Sequence, residues 1–196
     1  LTIAELQYAL SQKIGYDVHT FILTRKKIRD LPSRDPPFYR EFIQDRCVIR
    51  GEGIDIIEDC SAEGKLQTVL PSEEKARESL CTARDNLHEA EEAGKSGLLR
   101  AATNSTYVAI FHAARAILFR DGIREKSHFC IEQYLHTYVT SGALELKWVI
   151  LYGNLRSKRD VNQYGFEPPP TKEEAMAAVQ LATQFIDRME ALLTKE

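Results

Sequence analysis

The sequence predicts a mainly α-helical protein: an antiparallel bundle of about five helices over residues 72–196, preceded by a small α/β segment over residues 1–60. Three observations predict it. Beyond residue 72, apolar residues recur at alternating steps of four and three, the period of one helix face. Glycine or proline interrupts each run, leaving the short connections that antiparallel neighbours need. Residues able to cap a helix stand where the runs begin. Residues 61–71 are polar and aperiodic and read as a linker.

Each element has its own signal. Thr2 and Glu5 have capping-box spacing, and Leu6, Leu10 and Ile14 follow at helical intervals before Gly15. Residues 16–24 are rich in β-branched and aromatic side chains and read as a strand. Pro32, Pro36 and Pro37 break the chain before a short helix from Phe38, and Cys47-Val48-Ile49 reads as a short edge strand closed by Gly51 and Gly53. So short a piece buries a thin core and looks like half of something. The chain begins with Leu1 rather than methionine, which suggests a fragment of a longer fusion. After the linker, Ser72 is placed to cap a helix in which Ala76, Leu80, Ala83, Leu87 and Ala90 recur, with Gly94 as its stop. A second helix covers residues 98–121 and ends at Gly122; a third covers 129–140 and ends at Gly142; a fourth covers 144–164. Pro168, Pro169 and Pro170 forbid helix. Thr171 and Glu174 form a second capping box, opening a last helix with Met176, Val179, Phe185, Ile186, Met189 and Leu192 on its apolar side.

Composition excludes several classes. Apolar residues are 43% and charged residues 28% of the chain, a balance that suits a folded rather than a disordered protein. A net charge of −3 argues against a general polyanion-coating protein, so any nucleic-acid contact must use a local basic patch. Cys47, Cys60, Cys81 and Cys130 form no C-x-x-C pair, and Cys81 and Cys130 read as buried thiols within helices. No apolar run approaches the ~20 residues needed to span a bilayer, and no secretory signal is readable, so a cytoplasmic protein without a membrane partner is expected.

The familiar catalytic motifs (P-loop, G-x-G-x-x-G, G-x-S-x-G, H-E-x-x-H) are absent from the sequence. The five histidines are scattered; His112 reads as a core or interface residue, and His128 as a cap or a substrate contact ahead of the third helix. More chemistry gathers at Arg156, Lys158, Arg159 and Asp160. Two readings stay open. The cations can complement the helix dipole, with Arg156 pairing Asp160 at i,i+4. Alternatively, guanidinium groups beside Asn162 and Tyr164 suit bidentate phosphate binding with base stacking. Tyr107 and Phe111, with Trp148 and Tyr152, exceed one apolar stripe per helix and predict a homodimer surface.

Residues 104–118, with Tyr107 ahead of Phe111-His112-Ala113-Ala114-Arg115-Ala116, resemble the second helix of the HEPN family. Lys126-Ser127-His128 is similar to the K-x-H before that family's third helix, and Arg159-Asp160 through Tyr164 falls where the family carries an arginine, an acid and a tyrosine. The resemblance implies a helical nucleotide- or RNA-binding module of a nucleotidyltransferase/HEPN toxin–antitoxin-like system, dimeric, with no cofactor of its own. It implies binding by Arg156, Lys158, Asn162 and His128, catalytic roles for Arg159 and Tyr164, and Tyr164 as an acceptor of AMP from a cognate nucleotidyltransferase. The family's R-x(4–6)-H ribonuclease motif is incomplete, because no histidine follows Arg159. Catalytic impairment is therefore expected. The alternative is a metal-independent ribonuclease in which Arg159 works with Tyr164, His112 or His128. Residues 1–60 resemble, more weakly, the C-terminal half of a minimal nucleotidyltransferase. There Asp17 matches one metal-binding carboxylate, and magnesium would be held only if a complete catalytic half lies upstream.

Overall fold

The computed structural model describes residues 56–164 and 168–194. The expected helix, strands and Asp17 of the first segment lie outside the described residues, as do the side chains of Gln163 and Tyr164. The rest is mainly α-helical, as the periodicity predicts.

Helix α1 spans Ile56–Ala62 and strand β1 spans Leu66–Thr68. Helix α2 spans Glu73–Lys95, with Ser72 accepting a hydrogen bond from the Lys75 N–H at 3.2 Å. Its buried face is Ala76, Ser79, Ala83, Leu87, Ala90 and Gly94. Gly94 does not end the helix. A Cβ there would meet Met176 Sδ at 2.7 Å, so this glycine lets a later helix approach, and the turn falls at Gly97, whose φ is 76°. Helix α3, Leu99–Arg120, packs against every other long helix. Ala102, Ala109, Ala113, Ala114 and Ala116 are fully buried along it, and such small side chains let several neighbours come close at once.

Gly122, at φ 71°, turns the chain into β2, Ile123–Glu125, which pairs antiparallel with β1 so that Leu66 faces Glu125 and Thr68 faces Ile123. Residues 61–71, expected as a linker, therefore contain the end of α1 and a paired strand. Three residues are too few to show period-two alternation, and the partner strand is distant in sequence. Helix α4 spans His128–Thr140, α5 spans Leu146–Tyr164 and α6 spans Lys172–Leu193. The capping box at Thr171 and Glu174 forms with both of its hydrogen bonds. The five long helices predicted are thus all present.

The core contradicts two expectations. Tyr107, Tyr152 and Trp148 are 1%, 0% and 7% exposed, with Trp148 edge-on to Phe185, so these aromatics build the bundle rather than a second surface. The α5 apolar residues that remain outside are Leu146, Ile150 and Val161. The thiol readings also fail. Cys81 lies off the buried stripe of α2 and is exposed, while Cys130 is joined to Cys60 in a disulfide that ties α1 to α4. Among the described residues, no helix is long and apolar enough to cross a membrane.

Candidate functional site

Three helices converge with their polar groups facing one another. On α3, Tyr107, Phe111 and Arg115 follow at i, i+4 and i+8 and share a face. On α4, His128 and Glu132 stand one turn apart, at i and i+4. On α5, Tyr152, Arg156 and Arg159 align at i, i+4 and i+7. Each guanidinium of this cluster sits over an aromatic ring. Arg115 lies 4.8 Å from the Phe119 centroid and 5.8 Å from that of Phe111, Arg156 lies 5.6 Å from Phe129, and Arg159 lies 5.2 Å from Tyr107.

The histidine is held from two sides. Its Nδ1 is 2.6 Å from the Tyr107 hydroxyl, and its ring is 4.4 Å from that of Phe111. Burial, followed by the positive charge of Arg159, holds the imidazole below its ordinary pKa, which leaves it neutral at neutral pH. Burial also pushes the Tyr107 and Tyr152 phenols up, so both remain protonated hydrogen-bonding groups.

The three arginines are not equivalent. Arg115 pairs with Glu125 at 2.7 Å, and the Glu125 side chain is only 6% exposed. Arg156 reaches Glu132 at 3.2 and 3.3 Å, with both side chains largely enclosed. Burial raises the Glu132 carboxyl against the pull of Arg156, so breaking this pair would strand a charge inside the protein. Arg159 pairs at 2.9 Å with Asp160, whose side chain is 50% exposed. A pair so wetted contributes little, and an incoming anion can replace its carboxylate at small cost. Of the three, Arg159 is thus the guanidinium paired with the most exposed carboxylate, while Arg115 and Arg156 brace the helices through enclosed ones.

The sequence-predicted residues separate accordingly. Arg156, Arg159 and His128 come together. Arg156 does not pair with Asp160, because Glu132 from α4 occupies it. Lys158 is exposed and acts on Glu174 at the start of α6. Asn162 enters through its backbone, its carbonyl accepting from Arg100 at 3.1 Å. The last turn of α5 holds no cation, so the helix-dipole reading does not describe these arginines. His112 rests between helices: the Ser79 hydroxyl donates to its carbonyl at 2.8 Å and lies 3.4 Å from its Nδ1. Tyr107, Glu132 and Tyr152 are the residues that sequence reasoning missed as members of the site. A tyrosine one turn ahead of Phe111 was visible, but read as packing. Among the described residues, no group of three His, Cys, Asp or Glu side chains is placed to hold a metal ion.

A family model described as the HEPN domain matches residues 76–192, which contain the whole cluster. A protein of Methanocaldococcus jannaschii that bears the name "Putative toxin MJ0605" is 32% identical over 119 residues, 57% of this chain and 83% of that relative.

Proposed function

This chain belongs to the HEPN domain family, and from that premise we propose that it is a toxin-type HEPN module that binds RNA or nucleotide phosphate at the junction of α3, α4 and α5. The observation that carries this reading is Arg159, stacked on Tyr107 beside His128 and paired with a half-exposed carboxylate. A guanidinium in that setting makes bidentate contacts to phosphate, and the adjoining Phe111 and Phe129 are half-exposed faces on which a base can stack. Its archaeal relative bears a toxin's name, which fits such a module.

The proposal includes a two-fold homodimer formed through the outward face of α5, where Leu146, Ile150 and Val161 recur at helical spacing and stay exposed. The partner class is a nucleotidyltransferase, as a domain or a separate protein, and any magnesium would belong to that enzyme. Fluorescence anisotropy of labelled single-stranded RNA against salt tests the site. Arg159→Ala is expected to weaken binding and to lower the salt slope by about one. Unchanged affinity would remove the proposal. Light scattering that gives a monomer mass would remove the dimer alone.

One observation favours a second reading, a metal-independent ribonuclease. His128 supplies, from the start of α4, the imidazole that the chain lacks after Arg159. Chelator-resistant RNA cleavage that is lost in both Arg159→Ala and His128→Ala would select it.

A further inference from the structure

Helix α1 is seven residues long, well short of the roughly 12–15 at which a helix is stable by itself, so its neighbours must hold it. Of residues 57–62, only Cys60 is buried, and its sulfur is bonded to that of Cys130. Strand β1 is as slight: three residues, of which Leu66 alone is buried. Residues 56–68 therefore grip the bundle at two side chains, Cys60 and Leu66.

What they grip is the approach to His128. Leu66 pairs with Glu125, the Lys126 N–H donates to the Lys65 carbonyl at 2.8 Å, and Cys130 stands two residues beyond His128. The start of α4 has little support of its own. Ser127 occupies the N-cap position without a side-chain hydrogen bond, and no acidic residue in the first turn complements the helix dipole. Beside the contact of its ring with the Tyr107 hydroxyl, the turn that carries His128 depends on the disulfide.

From this arrangement we infer that the Cys60–Cys130 disulfide is a redox-sensitive latch: closed, it holds His128 beside Arg159; opened by a dithiol reductant, it frees the first turn of α4. Arg159 stays in place on α5. The consequence for binding, which rests on the phosphate reading above, is a weakening rather than a loss, because the turn must then be ordered as the ligand binds.

The exchange balances between the bridge and the dithiol. One thiolate of the reductant attacks a bridge sulfur; the S–S bond breaks, a mixed disulfide forms and the other cysteine leaves. The second thiolate then displaces the remaining cysteine and closes a cyclic disulfide. Two electrons come from the dithiol, and its two protons end on Cys60 and Cys130. The surroundings give access. Ile57 and Ser61, on either side of Cys60, and Tyr134, one turn beyond Cys130, line a surface cavity of about 400 Å³ with Leu66 and Ile123. A small dithiol fits there, and fraying of so short a helix exposes the sulfurs to it. Cys81, exposed on α2, is outside the bridge.

The full chain before and after treatment with dithiothreitol provides the test. Differential alkylation with mass spectrometry should find Cys60 and Cys130 protected before and modified after. Amide exchange over residues 128–132 should speed up on the order of tenfold, while α2, α3 and α6 keep their protection. Burial, then Arg159, holds the His128 pKa down; Arg156 and Arg115 act in the same direction and Asp160 against them. Wetting of the loosened turn should let that pKa rise, as read by NMR. The Kd for single-stranded RNA should rise about 3–10-fold. Cys60→Ser with Cys130→Ser should match the reduced protein in either redox state, and Cys81→Ala should keep the wild-type response. Unchanged exchange and an unchanged His128 pKa, with the bridge shown to be broken, would overturn the inference. So would a response lost in Cys81→Ala, a bridge reduced only when the whole bundle unfolds, or an RNA affinity equal in both states. A His128 response without RNA binding in either state would remove the phosphate reading and leave the latch standing.

Discussion

Gly153 stands inside α5, where glycine costs a helix about 1 kcal/mol relative to alanine, so Gly153→Ala ought to stabilise the protein if the space were open. It is not open. A Cβ at this position would meet Glu132 Oε1 at 2.9 Å and its Cδ and Oε2 at 3.1 Å. A carboxylate is the flexible end of its side chain, and on a bare surface it would swing aside. Here it cannot do so without leaving Arg156, and Glu132 is 7% exposed, so solvent has little access to take over. Overpacking of this kind costs about 1–3 kcal/mol, which against the helix gain leaves a net loss of about 0–2 kcal/mol. The sharper test is a change of sign. In a Glu132→Ala background the obstruction is gone, and Gly153→Ala should stabilise by about 1 kcal/mol. Urea unfolding of the four proteins reads the coupling directly, expected at about 1–3 kcal/mol. An alanine that stabilises equally in both backgrounds would refute the reasoning, because Glu132 would then be free to leave Arg156.

Arg156→Met, which strands the enclosed Glu132 carboxylate, should lower stability by about 2–4 kcal/mol, whereas Arg159→Met should stay within about 1 kcal/mol while losing RNA affinity; denaturation and anisotropy on the same samples check the division. Burial, then Arg115, holds His112 below its ordinary pKa, so the unfolded chain binds the proton first. Stability should therefore be full above about pH 6.5 and fall as acid passes that value, with a shallower fall in His112→Gln; a wild-type stability that is flat between about pH 7.5 and 5.5 would contradict the burial described. The Cys60–Cys130 bridge closes a separation of 70 residues, and Cys60→Ser with Cys130→Ser should lower stability by up to about 4 kcal/mol under oxidising conditions and by nothing further under reducing ones. Gly122→Ala combines a left-handed φ with a Cβ placed 2.6 Å from the Val69 carbonyl, and should cost about 2–4 kcal/mol, against about 1 kcal/mol for Gly142→Ala, whose surroundings are empty; comparable losses at the two sites would remove the packing argument.

The bundle was legible because each of its signals is local. Ser72 and Thr171 cap helices through side chains three residues from the amides they bind, and apolar positions three and four apart need no knowledge of what they pack against. The same logic fails where the partner is remote. Gly94 carries the appearance of a helix stop, and only Met176, brought against it by α6, makes it a contact residue. The strand Leu66–Thr68 exists because Ile123–Glu125 lies alongside, and no pattern within three residues could announce it. Cys60 and Cys130 carry no spacing motif because their proximity is created by the fold between them.

The candidate site divides in the same way. Arg156, Arg159 and Asp160 attracted notice because planar cations close together suggest anion chemistry whatever the fold. Their partners did not. The i,i+4 rule offered Asp160 to Arg156, yet the structure gives Arg156 to Glu132 on another helix and leaves Asp160 to its neighbour Arg159. That exchange determines which cation can meet a ligand. A guanidinium bound to an enclosed carboxylate is committed to the fold, and one bound to a half-exposed carboxylate can change partners. The missing imidazole followed the same course. Searching onward from Arg159 finds no histidine, because spacing along one helix looks only along that helix. His128 reaches the site from the opposite direction in sequence, carried by α4 and fixed by a tyrosine of α3. What the cluster brings together is an imidazole beside a guanidinium, supplied by three helices without any motif that a single helix could display.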